Sequence, residues 1–515
     1  MRCALLLCVC ALLSTRAWSA AYTVDAATPG HEVNPLNGVN AGPGHMKHLP
    51  GGNFAAQYQQ MGVRLVRAHD YYGPCDLSQI CPWIRNPLIK KRVPHFAETD
   101  ATISEIEAAG CQVLFRLGES WYKDDPHNEI PSSFTDVANA CVRIVDHYGG
   151  HEATPYRARI RLWEIWNEPD QGMFWDLTND PHSEQFMDLY VQVAKALQQE
   201  YPWIIIGGPG AKGGEESDQV DFCERLAQAC HDAGAPLDFY SWHYYNSDYD
   251  GPYIFAQRAQ KIRQTLNAAG FAKTYNVLDE WNSAHLVPES QNPTSTQRAW
   301  NATFDNAEGA AYSASVLIYL HLYTDVRYAC RYRGDYWVPE SGYGLIESDG
   351  KLKKPGYAFQ AYAGLFPGPS TRKMYLLPGT GGDLTNRAVM GTIDQAQSVV
   401  NVLISQYKTA AQSFTLSIKG LPSDWREPTL EHYVVSETAD DSQVLKRALL
   451  ARERPNLEYT YTVKAMQKSN NSVHMVRVYD AVRFPYSRPT SVAPAPSAGN
   501  QPQRQRRPYP RQPRQ

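Results

Sequence analysis

Two short stretches hold acidic and amide groups of the kind that move protons: Trp166-Asn167-Glu168-Pro169 and Leu278-Asp279-Glu280-Trp281-Asn282. Each closes an apolar run that reads as a β-strand, and Pro169 cannot extend a ladder. Carboxyl groups at the ends of two different strands could share the cleavage of an acetal, one protonating the leaving oxygen and the other attacking the carbon. The plainer alternative is that such groups are solvated or paired with a neighbouring arginine. Glu164 has the strand parity of Glu168 but lies lower, where a buried salt bridge to an arginine such as Arg67 is the simpler reading. Asp279 and Glu280 have opposite parity, so regular alternation lets only one of them face inward. Glu119 follows another strand-like run, and spacing does not separate it from the pair. His45 and His48 sit in a Gly/Pro loop without a carboxylate partner and read as ordinary loop histidines. With no CxxC or Cys/His ligand spacing either, neither a metal nor another cofactor is expected.

The elements that must position these groups follow from periodicity. Strand-like runs occur near 34–40, 63–69, 112–118, 159–166, 203–208, 237–243, 275–281 and 315–321. Between them the period is helical, as in Phe186, Leu189, Tyr190, Val193, Ala194 and Leu197. Eight strand and helix alternations predict an α/β fold, a (β/α)8 TIM barrel, over residues 22–370, with its chemistry at the carboxyl ends of the strands. From 371 to 488 the period becomes two, which predicts a C-terminal antiparallel β-sandwich domain. Residues 489–515 are rich in Pro and Arg and should form a disordered tail.

Arg2, the apolar run Cys3–Leu13 and the small residues around Ser19-Ala20-Ala21 read as a signal peptide over 1–21, so the protein is expected to be secreted or periplasmic. No other run is long enough to span a membrane. The formal charge is −4, and setting aside seven arginines at the two ends leaves a body near about −11. Such a body excludes nucleic acid as the expected partner, because phosphate neutralisation needs a basic surface. Of the ten cysteines three lie in the signal, and Cys75 with Cys81 is the best disulfide candidate among the remaining seven. Cys223 and Cys230 fall on one helix, too far apart to bridge. Asn301 and Asn470 stand in glycosylation sequons.

Trp166-Asn167-Glu168-Pro169, Glu280-Trp281-Asn282-Ser283 and Ser241-Trp242-His243-Tyr244-Tyr245 together resemble the clan A retaining glycosidases, specifically glycoside hydrolase family 39 with its β-xylosidase and α-L-iduronidase types. Gly342-Tyr343-Gly344-Leu345-Ile346, followed by Gly350 and Lys354-Pro355, is similar to that family's segment after strand eight. The resemblance runs from about 30 to 485. It implies Glu168 as acid/base and Glu280 as nucleophile. Asn167 would donate to the sugar 2-hydroxyl, His243 and Tyr245 would line the pocket with the Tyr hydroxyl orienting the nucleophile, and His69 would bind sugar. Asp279 departs from the family, whose xylosidases usually carry Thr there.

Gly208-Pro209-Gly210-Ala211-Lys212-Gly213 satisfies GxGxxG, but Pro209 lacks an N–H and the motif does not open a βαβ unit, so a tight turn over the barrel mouth is expected rather than a nucleotide site. The function implied by the resemblance is β-xylosidase-like hydrolysis of an oligosaccharide or polysaccharide-derived glycoside. The alternatives are an α-L-iduronidase-like, arabinosidase or endoglycanase activity, or a non-catalytic carbohydrate-binding protein on the same scaffold. An acidic sugar would need a cation near its carboxylate, for which Lys212 and Arg331 to Arg333 are loop candidates. Glu168 is expected to be protonated at working pH, its carboxyl raised by Glu280 and by partial burial.

Overall fold

The computed structural model describes residues 20–44, 53–86, 88–122, 127–150, 160–213, 215–246, 250–283, 305–336, 343–368, 371–409, 413–438, 443–449, 459–463 and 470–484. Residues 1–19 of the signal expected over 1–21, His45, His48, Asn301 and the expected tail lie outside them, whereas Ala20 and Ala21, the last two residues of that expected signal, pair with Phe414 and Thr415. Strands β1 (Ala20–Asp25) and β2 (Glu32–Val33) come first. Eight parallel strands then close a barrel: β3 (Gly38–Asn40), β4 (Leu65–Ala68), β5 (Gln112–Leu117), β6 (Leu162–Ile165), β7 (Ile205–Ala211), β8 (Phe239–Tyr245), β9 (Tyr275–Asn282) and β10 (Val326–Arg331).

Alternation within these strands builds the interior in layers. Leu65, Leu114, Leu162, Phe239, Val277 and Cys330 fill the amino-terminal end of the barrel as one apolar cluster. Two residues further along, on the same face, come Arg67, Arg116, Glu164, Ser241 and Asp279, all buried. The next inward positions are His69 and His243. Seven of the eight expected strands coincide with observed ones. The run 315–321 does not: it lies inside the helix Ala307–Tyr323, and the eighth strand is β10. This helix is buried on nearly every side because it packs against β12 (Arg387–Asp394), β13 (Val399–Gln406) and β18 (Ser472–Asp480). A helix apolar all round has no stripe, and its short apolar segment is indistinguishable from a buried strand.

The other strands of the second sheet are β11 (Met374–Thr380), β14 (Phe414–Lys419), β15 (Pro428–Ser436), β16 (Gln443–Leu449) and β17 (Tyr459–Val463). They join in the order β16-β15-β18-β13-β12-β11-β1-β14-β17, with β2 also on β11. All pairs are antiparallel except β1 with β14. Tyr22, Val24, Val389, Val402, Phe414, Leu416, Trp425 and Val476 share one core between its two layers. The barrel domain therefore does not begin at residue 22: β1 and β2 belong to the sandwich, where β1 bridges β11 and β14. A six-residue strand with Tyr22 and Val24 inward carries no mark of which sheet it joins, since its partners are some 350 residues away.

Cys75 and Cys81 are not bridged. All seven described cysteines are free and buried. Burial pushes the Cys81 thiol up to about 12, and its thiol neighbour is Cys141 rather than Cys75. Among the described residues no helix is long and apolar enough to cross a membrane.

Candidate active site

The site is anchored by Arg67, whose position in β4 aims a fully buried guanidinium across the barrel axis. Its Nε donates to Glu164 Oε2 at 2.6 Å and lies 2.9 Å from Asp279 Oδ2. Nη1 donates to Glu280 Oε1 at 2.9 Å and to Asn40 Oδ1 at 3.2 Å, and Nη2 donates to Asn167 Oδ1 at 2.7 Å. The fork thereby sets the positions of four residues from β6, β9 and the turn after β6. The salt bridge expected between Arg67 and Glu164 is present, and Ser241 Oγ also donates to Glu164 at 2.6 Å.

Asp279 and Glu280 both face inward, contrary to strict alternation. Trp242 pairs with Leu278 and His243 with Glu280, so Asp279 is the extra residue of a β-bulge. The bulge keeps Asp279 on the face of Val277 and turns Glu280 to the same side. β6 ends at Ile165, and Trp166 (φ 78°) and Glu168 (φ 41°) take left-handed conformations that bring Glu168 back over the mouth. Such backbone is costly for residues with side chains and is kept only where surrounding contacts hold it. Glu168 N donates to Gly210 O at 3.2 Å.

The remaining expected site residues converge here. His243 Nδ1 lies 2.7 Å from Glu168 Oε1 and 3.4 Å from Glu280 Oε2. The Tyr245 hydroxyl donates to Glu280 Oε2 at 2.6 Å. His69 Nε2 stands 3.3 Å from both Glu280 Oε1 and Asp70 Oδ1. Asn167 is buried, and its Nδ2 has no acceptor among the described residues, so its two N–H groups remain for a ligand. Carboxylate oxygens of Glu168 and Glu280 come within 4.8 Å of each other.

Glu119 leaves the contest. It accepts from Ser78 N and Ser78 Oγ, both at 2.8 Å, and lies 3.1 Å from His127 Nδ1, which makes it a loop-binding carboxylate. The glycine motif is a turn at the mouth: the N–H groups of Lys212 and Gly213 donate to Asp170. Gly210 (φ 65°) must be glycine, because a Cβ there would stand 2.7 Å from His243 Nε2. Of the loop cations, Lys212 Nζ lies 3.8 Å from Glu168 Oε2, Arg333 pairs with Asp335, and Arg331 donates to Tyr343 O. Lys212, expected as a loop cation for a sugar carboxylate, reaches Glu168 of the acid pair instead, and Tyr332, which no motif marks, donates to Asp70 Oδ2 at 2.7 Å.

Protonation departs from expectation. Burial raises the Glu168 carboxyl, but Lys212 and then His243 outweigh it and hold Glu168 below its ordinary range. Burial pushes Glu280 up against the opposing pull of His243 and Arg67. His243 resists desolvation because Glu280, Asp279 and Glu168 surround it, which carries its imidazole to about 10. Burial lifts Glu164 well above the usual carboxyl range despite Arg67. Burial also works to raise Asp279, but Arg67 and His243 hold it near about 2. The surrounding charges thus favour a proton on the His243 imidazole over one on the Glu168 carboxyl in the ligand-free site. Two carboxylates alone would raise Glu168; Lys212 and His243 beside them reverse the direction. Glu168, His243 and Glu280 each bring one ligand-type atom within 4.8 Å of the others, a grouping that a histidine between two carboxylates also shows without an ion.

Residues 129–368 match the sequence profile of Glycosyl hydrolases family 39. The β-xylosidase of Geobacillus stearothermophilus is 25% identical over 206 residues, 36% of each chain, so the match spans about a third of that relative's length. A glucosidase from Croceicoccus marinus superposes with a TM-score of 0.70 at 20% identity, covering 90% of this chain and 99% of that one. A family 51 α-L-arabinofuranosidase from Thermotoga petrophila RKU-1 gives a TM-score of 0.59 at 12% identity, covering 89% and 99%. These structures share the barrel and sheet architecture. Residues 129–368, the stretch similar to Glycosyl hydrolases family 39, carry Glu168, His243, Tyr245 and Glu280.

Proposed function

We propose that this chain is an exported retaining glycoside hydrolase of β-xylosidase type, with Glu168 as acid/base and Glu280 as nucleophile. The observation that carries the reading is the approach of their carboxylate oxygens to within 4.8 Å. A retaining pair stands roughly 5–5.5 Å apart, whereas an inverting pair needs roughly 6.5–9.5 Å to admit a water. Glu280 attacks the anomeric carbon as an anion held by Arg67 Nη1 and the Tyr245 hydroxyl. The proton for the leaving oxygen belongs to the Glu168–His243 pair. Transfer across the 2.7 Å contact breaks Nδ1–H and forms Oε1–H, leaving a neutral imidazole and a carboxylic acid. Departure of the aglycone then leaves Glu168 as the base that activates water for the second displacement. Asn167 Nδ2 donates to the sugar 2-hydroxyl, and His69 binds the same ring.

The β-xylosidase identity of the sequence relative supports the substrate class, and the signal-like start supports export. A panel of aryl glycosides led by the β-xyloside tests the substrate. For the mechanism, Glu280→Ala with azide should release the α-glycosyl azide from a β-glycoside, and Glu168→Ala with azide should release the β product through the intact nucleophile. NMR assigns the anomers. Exchanged anomers, or wild-type release of the inverted sugar, would refute these roles.

A further inference from the structure

Asp279 has no part in the steps above, yet it is fully buried in the charged layer beneath His243. Neither of its buried carboxylate oxygens has a hydrogen-bond donor of ordinary geometry among the described residues, and the Glu164 carboxyl stands beside it. Its neighbours are Arg67 Nε at 2.9 Å and His243 Nε2 at 3.6 Å. Arg67 Nε already donates to Glu164 at 2.6 Å, so the guanidinium is satisfied without Asp279. His243 is not: its Nε2 has no hydrogen-bond partner, and Gly210 beside it offers no side chain. The facing anion is Asp279, placed there by the bulge. An imidazole with carboxylates toward both ring nitrogens is in the setting of a double donor, which is its cationic form.

We propose that Asp279 is a positioning residue that keeps His243 charged, and through it fixes where the proton of the acid/base pair resides. This deepens the glycosidase reading and rests on it for its kinetic consequence. The charged groups around His243 are Glu168 and Glu280 at Nδ1 and Asp279 at Nε2, with Arg67 beyond Gly210 and Lys212 across Glu168. His69 is held neutral by burial and by Arg67. The direction agrees with His243 standing at about 10. With Asp279 neutralised the pair binds its proton less tightly, and the active form is lost at lower pH.

The test is nitrogen-15 NMR of the full chain labelled at histidine, with His243 assigned by its loss in His243→Asn. In the wild type at pH 8 both nitrogens of His243 should show imidazolium shifts. In Asp279→Asn they should show a neutral ring, and Asp279→Glu should restore the cation. The kcat/KM profile on an aryl β-glycoside should move in step, its alkaline limb falling by about one pH unit or more in Asp279→Asn and recovering in Asp279→Glu. Should Asp279→Asn not fold, Asp279→Thr takes its place. A cationic His243 in the neutral variants, or an activity loss uniform across pH, would overturn the proposal. The NMR result stands whether or not the wild type turns over, so a failure of the glycosidase reading is seen separately, as absence of turnover with His243 still cationic.

Discussion

Replacing Tyr245 by Phe removes one hydroxyl and keeps the ring that packs near Tyr332. The lost contact is the 2.6 Å donation to Glu280 Oε2, buried and charge-assisted. Such bonds contribute about 1.5–3 kcal/mol, and at about 1.36 kcal/mol per tenfold this predicts a fall in kcat/KM of roughly 10- to 150-fold. The bond exists in the resting fold, so its loss should also lower the unfolding free energy, by no more than about 3 kcal/mol because Glu280 keeps Arg67 Nη1 at 2.9 Å. The pH profile carries a second signature. A donor to the ionised carboxylate favours that form, so its loss raises the Glu280 carboxyl further, and the acid limb moves to higher pH. Tyr245 stays a neutral donor throughout, because burial and Glu280 push its hydroxyl far up. Initial rates on an aryl β-glycoside across the pH range measure both effects. A fall of less than about threefold with an unmoved acid limb would refute the claim that this hydroxyl orients and stabilises Glu280.

Two further outcomes concern stability. Arg67→Met strands Glu164, Asp279 and Glu280 without their shared guanidinium and should cost about 3–5 kcal/mol in urea unfolding, with Arg67→Lys recovering only part because an ammonium lacks the fork. His321, buried beside Tyr362, is held to about 3 by desolvation against an ordinary value near about 6.5, so below that pH the unfolded chain takes up the proton first. Stability should therefore fall by about 1.4 kcal/mol per pH unit from this group as pH drops from about 6.5 toward 3, and His321→Phe should flatten that slope in urea titrations at pH 7 and 5.

The barrel and both glutamates were legible because they are written in local patterns. Apolar runs ending in Asn-Glu-Pro or Glu-Trp-Asn carry strand, parity and acid groups within a few residues. What was not legible depends on distant partners. Residues 315–321 look like a strand because the second sheet buries the outer face of the helix Ala307–Tyr323 and erases its stripe. The place of β1 is not written near it, because its partners β11 and β14 come at the far end of the chain. Strict alternation opposes Asp279 to Glu280 because a bulge shows only in the register of β8 on β9. The protonation of Glu168 depends likewise on distant groups: His243 comes from β8 and Lys212 from the turn after β7, and only the closed barrel sums their charges at one carboxylate.

The second sheet also bears on the chemistry. β10 closes the barrel between β9 and β3, and it is delivered by the helix Ala307–Tyr323. That helix presents Val316, Leu317, Ile318 and Leu320, all buried, and an isolated barrel would leave its outer face in water. Ser405 of β13 donates to Ala311 O at 2.6 Å, and the Tyr319 hydroxyl donates to Asp383 O at 2.7 Å, so the sheet grips the helix by polar contacts as well as by packing. Directly after β10 comes Tyr332, which holds Asp70, and Asp70 in turn faces His69 at the mouth. β1 ties the two ends of the sheet sequence together, and the sheet buries the helix that sets β10 and hence the Tyr332–Asp70–His69 side of the site. The sandwich thus works as the outer wall of the last barrel unit, which explains why the amino-terminal strand is spent on the second sheet rather than on the barrel.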